Sequence, residues 1–306
     1  MPAGHGHAHG VTATGRHRGR LVAVMAISAA IAVLEIAGAL ISGSLVLFAD
    51  AAHMAADAAG VGLSLLAAYF ATRPATDRRT FGYARAEILA ATANALLLLG
   101  MAAFILIEAA RRVATPPTVG SGLMVIFGFV ALAGNGVSMI LLRRAQAESM
   151  NTRGAFLEVA SDTFGAAAVI VTGVIVSTTG FTLADPIASL VVGTLILPRT
   201  WRLLRDAVDV LLEASPRGID LGEVRRHMTE LDGVSDVHDL HAWTITSGLP
   251  ILSAHVVVDP AVLVNGRSAV MLDTLQECLR GHFDVVHSTF QLEPTGHADH
   301  EPYVCL

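Results

Sequence analysis

Lysine is absent from this chain of 306 residues, and cysteine, tryptophan and tyrosine are scarce at two, two and three. The cysteines, Cys278 and Cys305, make no CxxC motif and no even framework, so disulfides do not organise the fold. Charged residues make up 15% of the chain and the net charge is −6. No basic tract alternates with aromatics, which argues against a nucleic-acid partner. What fills the chain instead is apolar, with hydrophobic residues at 53%, the composition of a membrane protein with a soluble part.

The apolar mass lies before residue 205. Six stretches there can cross a hydrocarbon core as helices: 21–41, 45–71, 87–110, 123–142, 156–178 and 185–204. The last is expected to bend or end near Pro198. Arginine sets the orientation, because short cytoplasmic loops hold the excess of positive charge. Arg16, Arg18 and Arg20 precede the first span; Arg73, Arg78, Arg79 and Arg85 follow the second; Arg143, Arg144 and Arg153 follow the fourth; Arg199, Arg202 and Arg205 follow the sixth. The other side has Arg111 and Arg112 alone. Both termini are therefore expected in the cytoplasm. The first span is expected to be a retained helix rather than a signal peptide, since no cleavage-type end precedes it and it runs the full bilayer width.

The order along the chain reads as a His-rich cytoplasmic tail (1–20), a six-helix transmembrane domain (21–205), a cytoplasmic domain (206–294) and a His- and Cys-containing tail (295–306). His5, His7 and His9 alternate in the first tail, a tract that can bind borderline metals weakly or be an incidental polar tail. In the soluble part, Leu221, Val224, Met228 and Leu231 recur at helical spacing behind Asp220, a capping residue. Strands are expected over 234–245 and 251–258 across a Ser247-Gly248 turn, then a helix over 269–279 and a strand over 285–292. This αββαβ order predicts two helices on one face of a three-stranded sheet.

Against this apolar background, two pairs of ionisable residues stand inside the spans. His53 and Asp57 lie four apart in the second, and Glu158 and Asp162 lie four apart in the fifth. That spacing puts both members of a pair on one helix face, about one turn apart. Such groups cost roughly 2.5 to 3.5 kcal/mol at the bilayer centre by insertion scales, so they face a cavity and mark a transport path. A satisfied interhelical hydrogen-bond network is the plainer alternative. Three carboxyls and an imidazole make a poor neutral network and a good divalent-cation site. Imidazole disfavours Mg²⁺ and Ca²⁺, and four donors suit a tetrahedral ion, which places Zn²⁺ ahead of Fe²⁺, Co²⁺, Cd²⁺ and Mn²⁺.

The same groups suggest coupling. Three carboxyls without their cation repel one another, so a proton should take the metal's place, and metal binding should release it. His53 and Asp57 are the expected proton-coupling groups, His53 because a free imidazole titrates near ~6.5. Asp50, three residues before His53, reads as an exit group or a brace for the ligands, or as an interfacial residue near a helix start. Glu35, Asn94 and Asn135 read as interhelical hydrogen-bonding groups outside the metal's own ligands.

With these residues in view, the chain resembles the cation diffusion facilitator family, in particular its bacterial zinc, cadmium and cobalt efflux members. The resemblance rests on SGSLVLFADAAHMAADAAGVG (42–62) with its HxxxD, on FGYARAEILAATANALLLL (81–99), and on HDLHAWTITSG (238–248) followed by SAHVVV. It implies a six-span proton-coupled exporter, a homodimer, with a ferredoxin-like, metallochaperone-like αββαβ domain in the cytoplasm. The family's transport site carries over to His53, Asp57 and Asp162; zinc members commonly have His where this chain has Glu158, which bears on selectivity and proton stoichiometry. His238, His255 and His287 match positions of regulatory metal ligands, although Ser288, Thr289 and Phe290, not an acid, follow His287. Structural histidines are the alternative there, and His241 can join either arrangement. His297, Asp299, His300 and Cys305 in the tail suit weak scavenging. Arg78 and Arg79 with Asp206 and Asp209 could interlock domain and membrane, or remain a solvated face.

The leading expectation is thus an antiporter in a bacterial inner membrane that exports Zn²⁺ for H⁺. A membrane-bound metal sensor is the alternative, disfavoured because no output domain follows residue 294. An intramembrane metalloenzyme ranks last: there is no HExxH pair, and four protein ligands leave no open position for water.

Overall fold

The computed structural model describes residues 13–143, 150–264, 266–285 and 287–297. His5, His7, His9, Asp299, His300 and Cys305 lie outside them. Six helices are long and apolar enough to cross a membrane: α1 (Ala13–Ser42), α2 (Leu45–Ala71), α3 (Ala86–Ala114), α4 (Ser121–Leu142), α5 (Met150–Thr179) and α6 (Ala184–Leu211). In hydrocarbon no water pairs the backbone, so each apolar run satisfies its own N–H and C=O groups as a helix. Leu40, Ile140, Phe164 and Leu195 are 73–78% exposed within these helices, which marks them as lipid-facing. The chain divides into two compact units, residues up to Leu63 with Ala93–Arg202, and Ser64–Thr92 with residues from Leu203 onward.

In the first unit α1, α4 and α5 pack most closely. Glycine permits this: a Cβ on Gly128 of α4 would come within 2.8 Å of Ile170 on α5, and one on Gly134 within 2.7 Å of Ile31 on α1. Small residues at such crossings let backbones approach where lipid supplies no hydrophobic drive. Asp185 at the start of α6 is fully buried and caps a different helix. Its carboxylate accepts from Ser44 Oγ at 2.6 Å and from the backbone N–H groups of Leu45 and Val46 at 2.9 and 3.2 Å, satisfying the first turn of α2. Arg112 donates to the Gly43 carbonyl at 2.6 Å and lies 3.9 Å from Asp185, which offsets the buried charge.

Helix α6 continues through Pro198 to Leu211 rather than ending there. The segment after Pro198 is rich in Leu, Arg, Ala and Val, and spanning helices tolerate a proline whose freed carbonyl finds another partner. Arg202 also donates to the Pro198 carbonyl at 3.2 Å.

The second unit contains α7 (Leu221–Thr229), β1 (Val234–Thr244), β2 (Pro250–Val258), α8 (Arg267–Phe283) and β3 (His287–Pro294), the αββαβ order expected. The sheet order is β1-β2-β3, with β1 antiparallel and β3 parallel to β2. Asp220 caps α7, accepting from Gly222 N at 2.8 Å. Val224 and Met228 of α7 and Met271, Leu275 and Leu279 of α8 share one core with Leu252, Ala254, Val256 and Val258 of β2, so both helices cover the same face. Strand β1 supplies Val237 and Ala242 to that core. Their odd spacing is reconciled by a register shift between His238 and His241, where Asp239 takes φ +47°. The opposite face of β2 carries Ser253 and His255 between the apolar Ile251 and Val257.

At the β1–β2 turn, the Thr246 and Ser247 hydroxyls donate to Glu87 at the start of α3, at 2.5 and 2.9 Å. Arg85 pairs with Glu213 at 2.8 Å. The expected interlock of Arg78 and Arg79 with Asp206 and Asp209 does not form here. Arg217 pairs with Asp206 and lies 3.6 Å from Asp209, while Arg79 stacks on the Tyr83 ring at 4.4 Å. The local turn after α6 brings Arg217 back to these carboxylates without closing a long loop, which is the cheaper pairing.

Candidate metal centres

Helix α2 positions His53 and Asp57 one turn apart, with His53 Nε2 3.5 Å from Asp57 Oδ2. Helix α5 positions Glu158 and the buried Asp162. The residues of the two helices act on one another electrostatically: Glu158 interacts with both Asp57 and His53. Asp162 senses Asp57, Glu158 and Asp50. His53 Nδ1 and Asp162 Oδ1 are buried without a hydrogen-bond partner, a costly arrangement of the kind that an ion relieves. Arg199 of α6 acts electrostatically on all four residues. Its place in the sequence, beside Arg202 and Arg205 after an apolar run, had suggested a loop cation. The continuation of α6 through Pro198 is what makes it a helical neighbour of the site.

Glu35 of α1 and Asp50 of α2 are both buried, at 1% and 5% exposure, and their carboxyls act on each other electrostatically. Asn135 is fully buried and both its side-chain polar atoms lack a partner. The Asn94 amide closes against Gly60, where a Cβ would lie 2.6 Å from its Nδ2. Of the four, Asp162 acts electrostatically on Glu35.

The soluble domain holds a tighter set on the other face of its sheet. His238 and His255 are directly paired across β1 and β2, and their rings stand edge to face at 5.2 Å. Glu293 of β3, 1% exposed, reaches both: Oε2 is 3.1 Å from His238 Nε2 and Oε1 is 2.9 Å from His255 Nδ1. Ligand atoms of these three residues lie within 4.8 Å of one another, and among the described residues no other group of three does so. Gln291 donates to Glu293 Oε1 at 2.8 Å, holding the carboxylate in place. Asp239 adds a carboxylate 3.7 Å from His255 Nε2 and 3.0 Å from His241 Nε2.

His287 does not join this set. Parallel pairing sets it opposite Ile251 and sets Gln291 opposite His255. His287 and Glu293 share a face but stand six residues apart, about 20 Å along a strand. The His287 ring instead meets Phe81, with centroids 5.8 Å apart. Glu293 was missed because the acid was sought immediately after a histidine. Alternation along Thr289, Gln291 and Glu293 on the face opposite Phe290 and Leu292 is the signal that points to it.

Comparisons with known proteins agree over the whole length. The family model described as the cation efflux transmembrane domain matches residues 21–212, and that described as the cation efflux protein cytoplasmic domain matches 216–295. The metal cation efflux system protein CzcD of Cupriavidus metallidurans is 40% identical over 98% of this chain and 93% of its own length. The zinc transporter ZitB of Escherichia coli is 37% identical over 96% and 93%. A Bacillus subtilis protein named cadmium, cobalt and zinc/H⁺-K⁺ antiporter is 33% identical over 89% and 88%. With its six spans, its cytoplasmic αββαβ domain and these matches, the chain belongs to the cation efflux, or cation diffusion facilitator, family, whose members are transporters and not enzymes.

Proposed function

We propose that this integral membrane protein exports divalent metal cations from the cytoplasm in exchange for protons, with Zn²⁺ as principal substrate. The observation that carries the reading is the set His53, Asp57, Glu158 and Asp162, carried by the spanning helices α2 and α5 and coupled electrostatically across them. Four donors of N and O type suit a tetrahedral ion, and their need to shed protons before binding supplies the exchange. The names of the relatives support this substrate range: CzcD exports metal cations, ZitB carries zinc, and the Bacillus protein exchanges cadmium, cobalt and zinc for H⁺ and K⁺. Alternating exposure of the site to the two faces would complete transport.

The arginine distribution supports an inner-membrane orientation with both ends of the chain in the cytoplasm. The name of the cytoplasmic-domain family model favours a homodimer. His238, His255 and Glu293 supply a second station for metal, suited to sensing cytoplasmic zinc in support of the transporter.

The test is purified protein in liposomes under an imposed pH gradient, with Zn²⁺, Cd²⁺, Co²⁺, Fe²⁺ and Mn²⁺ compared. Zinc should accumulate against its own gradient and collapse with the proton gradient. Binding of Zn²⁺ without movement of any metal would favour a sensor instead.

A further inference from the structure

Two acids outside the four proposed metal ligands, Glu35 and Asp50, are buried and act on each other electrostatically. Glu35 sits about two turns before the end of α1 and Asp50 in the first turns of α2, one turn before His53. Glu35 is 1% exposed and neither of its oxygens, nor Asp50 Oδ2, has a hydrogen-bond donor among the described residues. Each carboxyl acts electrostatically on the other. Two oxygens from two acids can bond only if one carries hydrogen. Two bare carboxylates acting on each other out of water would repel strongly.

Among the described residues the charged groups that act on the pair are acids, and Arg199 acts on Asp162 beside them. Helix α4, packed against α1, has no ionisable residue, and contributes the polar Asn135. From α5, also packed against α1, Asp162 faces the pair electrostatically, and Glu158 lies one turn further along the same helix. On α2 itself the next ionisable groups are His53 and Asp57. Room for the pair is built in: Gly165 of α5 lies so close to the Asp50 carboxylate that a Cβ there would collide with it.

We infer that Glu35 and Asp50 together bind one transported proton, so that the coupling ion has a seat of its own beside the metal ligands. In the metal-free state the hydrogen lies between the two carboxyls. A dication arriving among the four metal residues raises the potential at Asp162 and at the pair, and the proton leaves as H⁺. When the metal departs, the bare pair takes H⁺ back. One charge step at each station makes exchange obligatory without one set of side chains holding both ions.

This inference rests on the exporter reading, and its test separates the two. Full-length protein in liposomes with internal pH and zinc dyes would be compared as wild type, Glu35→Gln, Glu35→Asp and Asp50→Asn, each first shown monodisperse. Glu35→Gln should keep equilibrium zinc binding and zinc-for-zinc exchange. Its uptake driven by a pH gradient should fall on the order of tenfold, within the range of site-to-site couplings. Glu35→Asp should recover part of the loss and Asp50→Asn should reproduce it. Unchanged proton-to-zinc coupling in Glu35→Gln, or in Asp50→Asn should Glu35→Gln not fold, overturns the inference. Loss of zinc binding in Glu35→Gln overturns it too, since the pair would then be part of the metal site. A wild type without proton-coupled flux defeats the exporter reading and this inference with it.

Discussion

The protein assembles imidazole and carboxylate twice, and the two assemblies differ in closure. In the cytoplasmic domain His238, His255 and Glu293 bring three ligand atoms within 4.8 Å, on adjacent strands whose ladder hydrogen bonds fix the spacing. In the spanning helices the four residues are split between α2 and α5 and coupled electrostatically, with no three of them drawn that close. A sheet cannot slide without breaking its ladder, whereas helices at a lipid-exposed crossing can shift by an ångström or two. The difference suits the two tasks proposed for these sites. A sensor gains from a preformed, tight set. A transporter must release what it binds, so a looser site whose two halves ride on separate helices is the better instrument.

The largest test of this contrast is removal of a membrane carboxylate. Asp57→Ala or Asp162→Ala should abolish zinc flux, with a drop of at least about 100-fold, because either change deletes a ligand and leaves the remaining buried polar atoms unpaired. The cytoplasmic site should still take up metal in these variants, as counted on purified protein. Next in size, Glu293→Gln should weaken metal binding to the cytoplasmic domain about 10- to 100-fold, since Glu293 is the ligand shared between both histidines. Titration of zinc in a variant already lacking the membrane site would read this directly. An affinity equal to the parent's would mean that the trio holds no metal.

Glu158→His should move the membrane site by a smaller amount, changing the Zn²⁺ to Cd²⁺ flux ratio by roughly tenfold as a hard oxygen gives way to a borderline nitrogen. It should also lower the number of protons moved per metal, because one titrating carboxyl is gone. The smallest effect belongs to His287→Ala. Strand register holds His287 far from Glu293, so zinc affinity of the cytoplasmic domain should stay within about twofold, an energy well under 1.4 kcal/mol. A tenfold loss there would show that the register, and with it the ligand set, is wrong.

How much of this could be read from residues alone follows the range of the interactions. The six spans were legible because bilayer thickness demands some twenty apolar residues in a row, a property of contiguous sequence. His53 with Asp57, and Glu158 with Asp162, were legible because helical periodicity is local. The Asp220 cap and the Ser247-Gly248 turn were likewise visible, and Gly248 takes the positive φ of +76° that such a turn wants.

What stayed hidden was non-local. Glu293 is a ligand neighbour only because β3 pairs parallel to β2 in one register, and a slip of one residue would put it in the core. Asp239 faces His255 only because of the irregularity between His238 and His241. Arg199 acts on the membrane site because α6 does not stop at Pro198, an outcome decided by the helix-forming segment after the proline. Asp185 appeared to be the first residue of a span and turned out to cap another helix 140 residues away in sequence.

The most direct test of the account counts bound zinc and records zinc and proton fluxes on the same reconstituted preparation, for wild type, Asp57→Ala and Glu293→Gln. The account predicts that Asp57→Ala loses one zinc and all coupled flux, while Glu293→Gln loses a different zinc and still exchanges Zn²⁺ for H⁺. Coupled flux surviving in Asp57→Ala would contradict it, because the ion would then cross the membrane by a route other than the site shared by α2 and α5.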